Sequence, residues 1–411
     1  MGTIDKECSS EYRELRPASH AMCTASGKSL FRVILVLAIV FESACSITPI
    51  RPASSLTPPV GDGWETASPQ SAGFDEGALQ KLTQDIQSGR FPNTHAVLIE
   101  YDGRLVYEQY FGGMDERWNQ PVGYRNFGRD SLHDLRSVSK TVTSLVLGIV
   151  LGAEGDFALE KPLPSFFPKL TASPDLQAVT LHHALTMTAG IQWNEMTTSY
   201  ASDTNDEVRL YGVTDPVAMV LKRPVVTAPG SVWYYNGGLS QVLAGIVQEK
   251  TGKALDKVAA EVLFNPLGIK TFEWIGGPIW EPAMPAAASG LRMRGRDLAK
   301  IGSVCLHDGQ WEGRQIVPKK WLERSMQRHV EQAGAWSNGG VWGYGYQFWM
   351  GRFPQGYEVA AAKGNGDQNV FILRKEKIVV TIFAGAYNRF DGPAERILHR
   401  IMAAREPSSN F

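Results

Sequence analysis

The apolar positions of this chain fall into two periods, and their order outlines a fold. After Asp75, which reads as an N-cap, Leu79, Leu82 and Ile86 recur at helical spacing, and Gly89 ends the segment. The pattern then becomes strand-like: residues 95–101 and 104–110 flank Asp102-Gly103, a strong short-range hairpin signal. From Ser137 the chain turns almost wholly apolar (Val142 to Val150), which predicts a buried helix over about 137–151. The middle, about 155–300, reads as helices and loops, with helical stretches at 181–187, 216–221, 239–251, 255–263 and 295–306. Strand patterns return at 368–373 and 378–383 across the charged turn Arg374–Lys377. A last helix begins near Asp391, with Pro393 in its first turn and Ile397 and Ile401 on its inner face. Sheet and helix at both ends therefore bracket a helical middle, which predicts an α/β (α+β) fold. One sheet is assembled from both ends and an all-helical subdomain is inserted at about 155–300. No G-x-S-x-G elbow is present, which argues against an α/β-hydrolase.

The first residues are patterned differently. Lys28 precedes the apolar run Leu30–Phe41, too short to span a bilayer and laid out like a secretory signal. Ser43-Ala44-Cys45 resembles the end of a bacterial lipobox, with Glu42 standing where such boxes prefer an aliphatic residue. Residues 1–45 are thus expected to be a leader, with Met22 a candidate true start, and 46–66, rich in Pro, Ser and Thr, a tether to a domain over 67–411. The expected location is outside the cytoplasm, in a bacterial periplasm or held at a membrane. Lipid on Cys45, ordinary cleavage and an uncleaved anchor remain open.

Composition narrows the function classes. The 411 residues carry a formal charge of −1, and Lys and Arg are scattered, so no polyanionic or nucleic-acid partner is expected. With Cys8 and Cys23 in the leader and Cys45 at the expected processing site, Cys305 is left as a buried small hydrophobe. No Cys/His group has metal-ligand spacing. His182 and His183 are adjacent and on a helix point about 100° apart, so neither a metal nor another cofactor is predicted.

The chemistry begins at Ser137-Val138-Ser139-Lys140. Positions i and i+3 share a helix face, so the serine hydroxyl and the lysine amine can touch. Serine is a poor nucleophile until a neighbour takes its proton, and a buried helix supplies the dry surroundings that would free a lysine to do so. The Ser137 amide, at the start of the helix, can also donate to an oxyanion. An S-x-x-K match arises about once by chance in a chain this long, so other parts must support it.

Two further segments do. Residues 229–238 (Pro229-Gly230-Ser231-Val232-Trp233-Tyr234-Tyr235-Asn236-Gly237-Gly238) form a loop entering a helix, and Lys363-Gly364-Asn365-Gly366-Asp367-Gln368 leads into a late strand. With the serine–lysine pair they resemble the three boxes of the serine hydrolases of the class C β-lactamase and penicillin-binding-protein superfamily. Aligning Pro229-Gly230 and Trp233 places the family's tyrosine on Tyr235. The alternative register Tyr234-Tyr235-Asn236, which satisfies Y-x-N literally, takes Tyr234 as that tyrosine and brings Asn236 into the site, stays open. Gly364-Asn365-Gly366 stands where K-T-G or H-x-G stands elsewhere, without the side chains that hold a β-lactam carboxylate unless Lys363 substitutes. Supporting likeness runs over 70–400, including Leu185–Ile191 with Trp193, Pro266–Ile269, Ala288–Leu291 and Trp342–Tyr346.

The resemblance implies a β-lactamase-like fold, an antiparallel sheet flanked by helices, with the site beside the helical insertion. It implies an acyl-enzyme hydrolase in which Ser137 attacks, Lys140 and Tyr235 exchange its proton, and the amides of Ser137 and Asp367 hold the oxyanion. A tyrosine near a lysine is expected to ionise below its usual pKa of about 10. Deacylation is expected from the same Lys/Tyr pair, no separate glutamate being identifiable. The substrate expected is a small ester, amide or peptide. A β-lactamase or D-Ala-D-Ala carboxypeptidase, and a non-catalytic penicillin-binding or cell-wall-binding module, are the competing readings. Specificity is expected from loops near 192–212 and 330–350.

Overall fold

The computed structural model describes residues 61–333, 341–389 and 391–405. The expected leader, Cys45 and the tether as far as residue 60 lie outside the described residues.

The chain's strands, in order, are β1 (Glu65–Thr66), β2 (Thr94–Tyr101), β3 (Arg104–Tyr110), β4 (Gly112–Arg117), β5 (Gln120–Asn126), β6 (His133–Asp134), β7 (Phe272–Trp274) and β8 (Leu291–Met293). They continue with β9 (Gln310–Trp311), β10 (Arg314–Gln315), β11 (Val341–Tyr344), β12 (Trp349–Arg352), β13 (Glu358–Gly364), β14 (Gln368–Leu373) and β15 (Ile378–Ala384). Eight of them form one sheet in the order β1-β3-β2-β15-β14-β13-β12-β11. Every pairing is antiparallel except β1 with β3. The sheet is therefore closed from both ends of the chain, β15 lying against β2.

Alternation along the strands builds the layers, because successive side chains point to opposite faces. Leu98, Leu105, Val370, Ile372 and Val379 meet Leu298 and Ile301 of the helix Gly295–Leu306 in one core. Val97, Ile99, Val106, Phe371, Val380 and Ile382 meet Leu79 and Leu82 of the helix Glu76–Gln87, and Ile397 and Ile401 of the helix Ala394–Ala403, in the other. Gly302 lets its helix lie close to the sheet: a Cβ there would come within 2.6 Å of Val379 and 2.8 Å of Val370. The helix Val138–Leu151 is buried over its first turns on every side, as its all-round apolarity demands. It packs against the helix Gly237–Thr251, inside the same core as the 295–306 helix.

The expected helices and both expected hairpins form, the first helix capped by Asp75, whose carboxylate accepts the Ala78 amide at 3.1 Å. Three differences stand out. The end of the expected tether is bound in place: Glu65 and Thr66 add β1 to the sheet edge, the Trp64 indole donates to the Arg296 carbonyl, and Asp62 pairs with Arg296 at 2.9 Å. The β4–β5 hairpin and β11–β13 went unpredicted, since β5 is half-exposed and β13 reads Glu-Val-Ala-Ala-Ala-Lys-Gly, weak strand formers held by neighbours. The last helix starts at Ala394, later than the expected start near Asp391, so Pro393 sits at the N-cap position and not within the first turn.

Candidate active site

Ser137 stands at the N-cap position of the buried helix. The residue before it, Arg136, takes a left-handed backbone (φ 50°), turning the chain sharply from β6 into the helix. Its guanidinium is pinned by Glu116 at 3.1 Å and Asp134 at 3.3 Å. The other serine of the motif, Ser139, faces inward, donating to the Arg136 carbonyl and accepting the Leu291 amide. Lys140 is 1% exposed, and its Nζ donates to Ser137 Oγ at 3.0 Å and to the Ala288 carbonyl at 2.9 Å. The i, i+3 spacing has thus brought amine and hydroxyl together on a dry helix face.

Tyr235 completes the group. Its hydroxyl lies beside the Ser137 side chain, and Lys140 Nζ lies 4.8 Å from its ring centroid. The ring is stacked on Trp349 at 5.9 Å and packed by Trp233. Tyr234 does not line the cleft; its amide bonds the Met187 carbonyl and its ring is half-buried against the core. The expectation that Tyr235 ionises readily is corrected: burial, and then the nearby Glu195 charge, push its hydroxyl well above 10, so it acts as a neutral O–H.

The carboxylates are what the sequence reading missed. Glu195 and Glu207 are both buried, and both act electrostatically on Lys140's surroundings. Glu195 accepts from the Trp193 indole (2.7 Å), the Gly237 amide (2.6 Å) and the Tyr200 hydroxyl (2.8 Å). Glu207 accepts from Ser289 at 2.7 Å. Burial and the Glu207 charge raise the Glu195 carboxyl, while Glu207, although burial opposes its charge, is held low by Lys140 and the Glu195 side chain. Two glutamates in a Ser/Thr-rich loop and a short helix give no periodic signal that would have marked them.

At the third box β13 ends against the nucleophile. A Cβ on Gly364 would overlap the Leu135 carbonyl and lie 3.1 Å from the Ser137 amide nitrogen, so only glycine admits this approach. Asn365 exchanges hydrogen bonds with Asn388, and Gly366 bridges to Ala386. Asp367 has φ 67°, and its carboxylate turns inward to accept the Ala394 and Asn369 donors. Two expectations change. Lys363 is not a free anchor for a substrate carboxylate, because it is paired with Glu395 at 2.6 Å over the Trp342 ring. Asn236 is 2% exposed and caps the helix Gly237–Thr251 by accepting the Leu239 amide, which withdraws its oxygen from substrate binding.

These groups surround a cleft of 540 Å³. Its floor is Ser137 and Tyr235, one wall the loop 195–200, the other Lys363–Asp367 with Asn388 and Arg389. The first expected specificity loop therefore contributes through residues 195–200 and the second, among the described residues, through Trp349. His182 and His183 have separate partners, Tyr346 and the Thr180 amide, and do not converge. The one set of three ligand-capable side chains among the described residues, His95, Asp115 and His133, lies in the core outside the cleft.

A serine hydroxyl bonded by a buried lysine and faced by a neutral tyrosine, under a glycine-edged strand, is the site of a β-lactamase-like fold. Residues 80–404 match the family described as Beta-lactamase, and the chain belongs to that family. It is similar to a 6-aminohexanoate-dimer hydrolase of Paenarthrobacter ureafaciens, 26% identical over 237 residues, covering 56% of this chain and 56% of that protein. The chain spans about half the length of the curated relatives it matches. Among solved structures, a family VIII carboxylesterase superposes with a TM-score of 0.62 at 16% identity, over 83% of this chain and 98% of the other. An octameric penicillin-binding protein homologue from Pyrococcus abyssi gives 0.61 at 18% identity, over 82% and 78%. These likenesses show the fold.

Proposed function

We propose that this protein is a serine hydrolase that cleaves a small ester or amide through an acyl-enzyme. The observation that carries the reading is Ser137 Oγ bonded by Lys140 Nζ at 3.0 Å, with the Tyr235 hydroxyl beside it in the cleft. Ser137 Oγ attacks the carbonyl carbon while the Lys140 amine accepts its proton; as the tetrahedral intermediate collapses, Tyr235 gives its hydroxyl proton to the leaving oxygen or nitrogen and regains one from Lys140, which returns to the free amine. The Ser137 amide and a backbone amide of the 364–367 turn hold the oxyanion. Water then attacks the acyl-enzyme, its proton taken by the same Lys/Tyr pair, and Ser137 is released.

An ester or uncharged amide is favoured over a β-lactam because Lys363, the cation of the third box, is already neutralised by Glu395. The similarity to a hydrolase of 6-aminohexanoate dimer and to a carboxylesterase supports the same substrate class. Export with attachment through an N-terminal lipid or anchor belongs to this reading, resting on the leader pattern alone; palmitate labelling lost in Cys45→Ser would test the lipid.

The activity is tested by labelling with a fluorophosphonate and a fluorescent penicillin, beside turnover of a p-nitrophenyl ester and nitrocefin. Fluorophosphonate labelling lost in Ser137→Ala, with ester but not nitrocefin turnover, is expected. Nitrocefin turnover would select the β-lactamase reading, and stable penicillin labelling without turnover a binding module.

A further inference from the structure

We infer that His95, Asp115 and His133 form a buried three-ligand site for one divalent transition-metal ion of the zinc type, joining β2, β4 and β6 just ahead of the nucleophile. The three lie far apart in sequence, and their ligand atoms all fall within 4.8 Å of one another. His95 and His133 are fully buried and Asp115 is 3% exposed.

The case rests on counting protons. His133 Nδ1 faces the Asp134 carbonyl at 3.1 Å, which only an N–H can satisfy, so Nε2 carries the lone pair. His95 Nε2 faces Asn93 Oδ1 at 3.4 Å. That amide is fixed, because its Nδ2 donates to the Met114 and Gly385 carbonyls and its Oδ1 accepts the Met114 amide. We assign the His95 proton to Nε2 on this contact, which leaves the lone pair on Nδ1. The two lone pairs confront each other, His95 Nδ1 to His133 Nε2, at 2.8 Å. Beside them Asp115 Oδ1 stands 3.7 Å from His133 Nε2, and Oδ2 is buried with no hydrogen-bond partner.

A cation between the lone pairs resolves both defects. Each ligating imidazole then donates its other N–H to an oxygen, the outer arrangement found around metal-bound histidines. Zinc–nitrogen bonds of about 2.0–2.1 Å at a tetrahedral angle call for about 3.3 Å between the nitrogens, a widening of about half an ångström. Asp115 Oδ2 is placed to give a further oxygen ligand, while Tyr387 orients the carboxylate by donating to Oδ1 at 3.0 Å. The nearby guanidiniums have their own anions: Arg292 pairs with Asp134 and Glu273, and Arg136 with Asp134 and Glu116. Only Arg125, 3.8 Å from Asp115 Oδ2, competes for the carboxylate. The rings are clamped on their faces, His95 stacked on Phe127 and His133 on Phe383, which fixes their orientation.

The test uses the whole protein, titrated with zinc chloride and, separately, cobalt chloride, then desalted and analysed for metal. About one equivalent of zinc per chain is expected, with a visible cobalt spectrum of low coordination number. Asp115→Asn and His133→Gln should each weaken binding by more than about tenfold. X-ray absorption on the zinc-loaded wild type should count two imidazoles and a carboxylate, and it decides the matter even where a variant does not fold. A folded wild type that retains no metal at micromolar zinc overturns the proposal. So does a ligand set without two imidazoles, or undiminished binding in both folded variants.

Discussion

Replacing Tyr235 by Phe removes one oxygen and almost nothing else. The ring keeps its stacking on Trp349 and its place under Lys140, so packing is preserved. What is lost is the hydroxyl beside the Ser137 side chain. As one buried hydrogen bond it contributes about 0.5–1.5 kcal/mol to stability, and the folded state should survive with a slightly lower Tm. As a proton relay its loss should cost about 10²–10⁴ in kcat/KM, or about 2.7–5.4 kcal/mol of transition-state stabilisation. The kinetic effect thus exceeds the structural one and the two can be told apart. Because burial and Glu195 push the hydroxyl above 10, the wild-type rate should show no tyrosine ionisation limb below pH 10. The variant's pH profile should then be lower but unchanged in shape. Stopped-flow hydrolysis of a p-nitrophenyl ester, read as acylation burst and steady state at several pH values, measures all of this. Tyr234→Phe, outside the cleft, should stay within about twofold of wild type. A Tyr235→Phe enzyme within about threefold of wild type, or a severe Tyr234→Phe defect, would refute the relay.

Lys140→Ala should lower ester turnover by several orders of magnitude; turnover within tenfold of wild type would sink the lysine-base step. Gly364→Ala should lose activity out of proportion to its size, because the new methyl overlaps the Leu135 carbonyl and pushes β13 off the Ser137 amide; unchanged kcat would show that this edge does not hold the oxyanion. Glu195 is raised in the folded state, so its contribution is present below its unfolded value of 4.5 and is lost as pH rises through the folded value. Glu195→Gln should accordingly flatten the decline of Tm with pH above 4.5, and a variant with the wild-type slope would show that Glu195 carries no such proton.

Much of the site was legible in the chain because its pieces are local. Ser137 and Lys140 need only helical spacing to touch, and the helix announces itself by its apolar run. The hairpin of β2 and β3 and the β14–β15 pair are likewise set by alternation around short turns, and Asp75 marks a helix start by its own side chain. The choice of Tyr235 over Tyr234 at the cleft followed from flanking residues, not from any property of either ring. What only the tertiary structure decided is whatever depends on residues distant in sequence meeting in a medium of low polarity. The Glu195–Glu207 pair, the neutralisation of Lys363 by Glu395, the withdrawal of Asn236 into a helix cap and the upward shift of Tyr235 are of this kind. So is the His95–Asp115–His133 cluster, whose spacing carries no ligand signature until three strands converge. Periodicity reports which face of an element is buried. It does not report which element will cover that face, and burial beside a particular charge is what sets a side chain's protonation and partners.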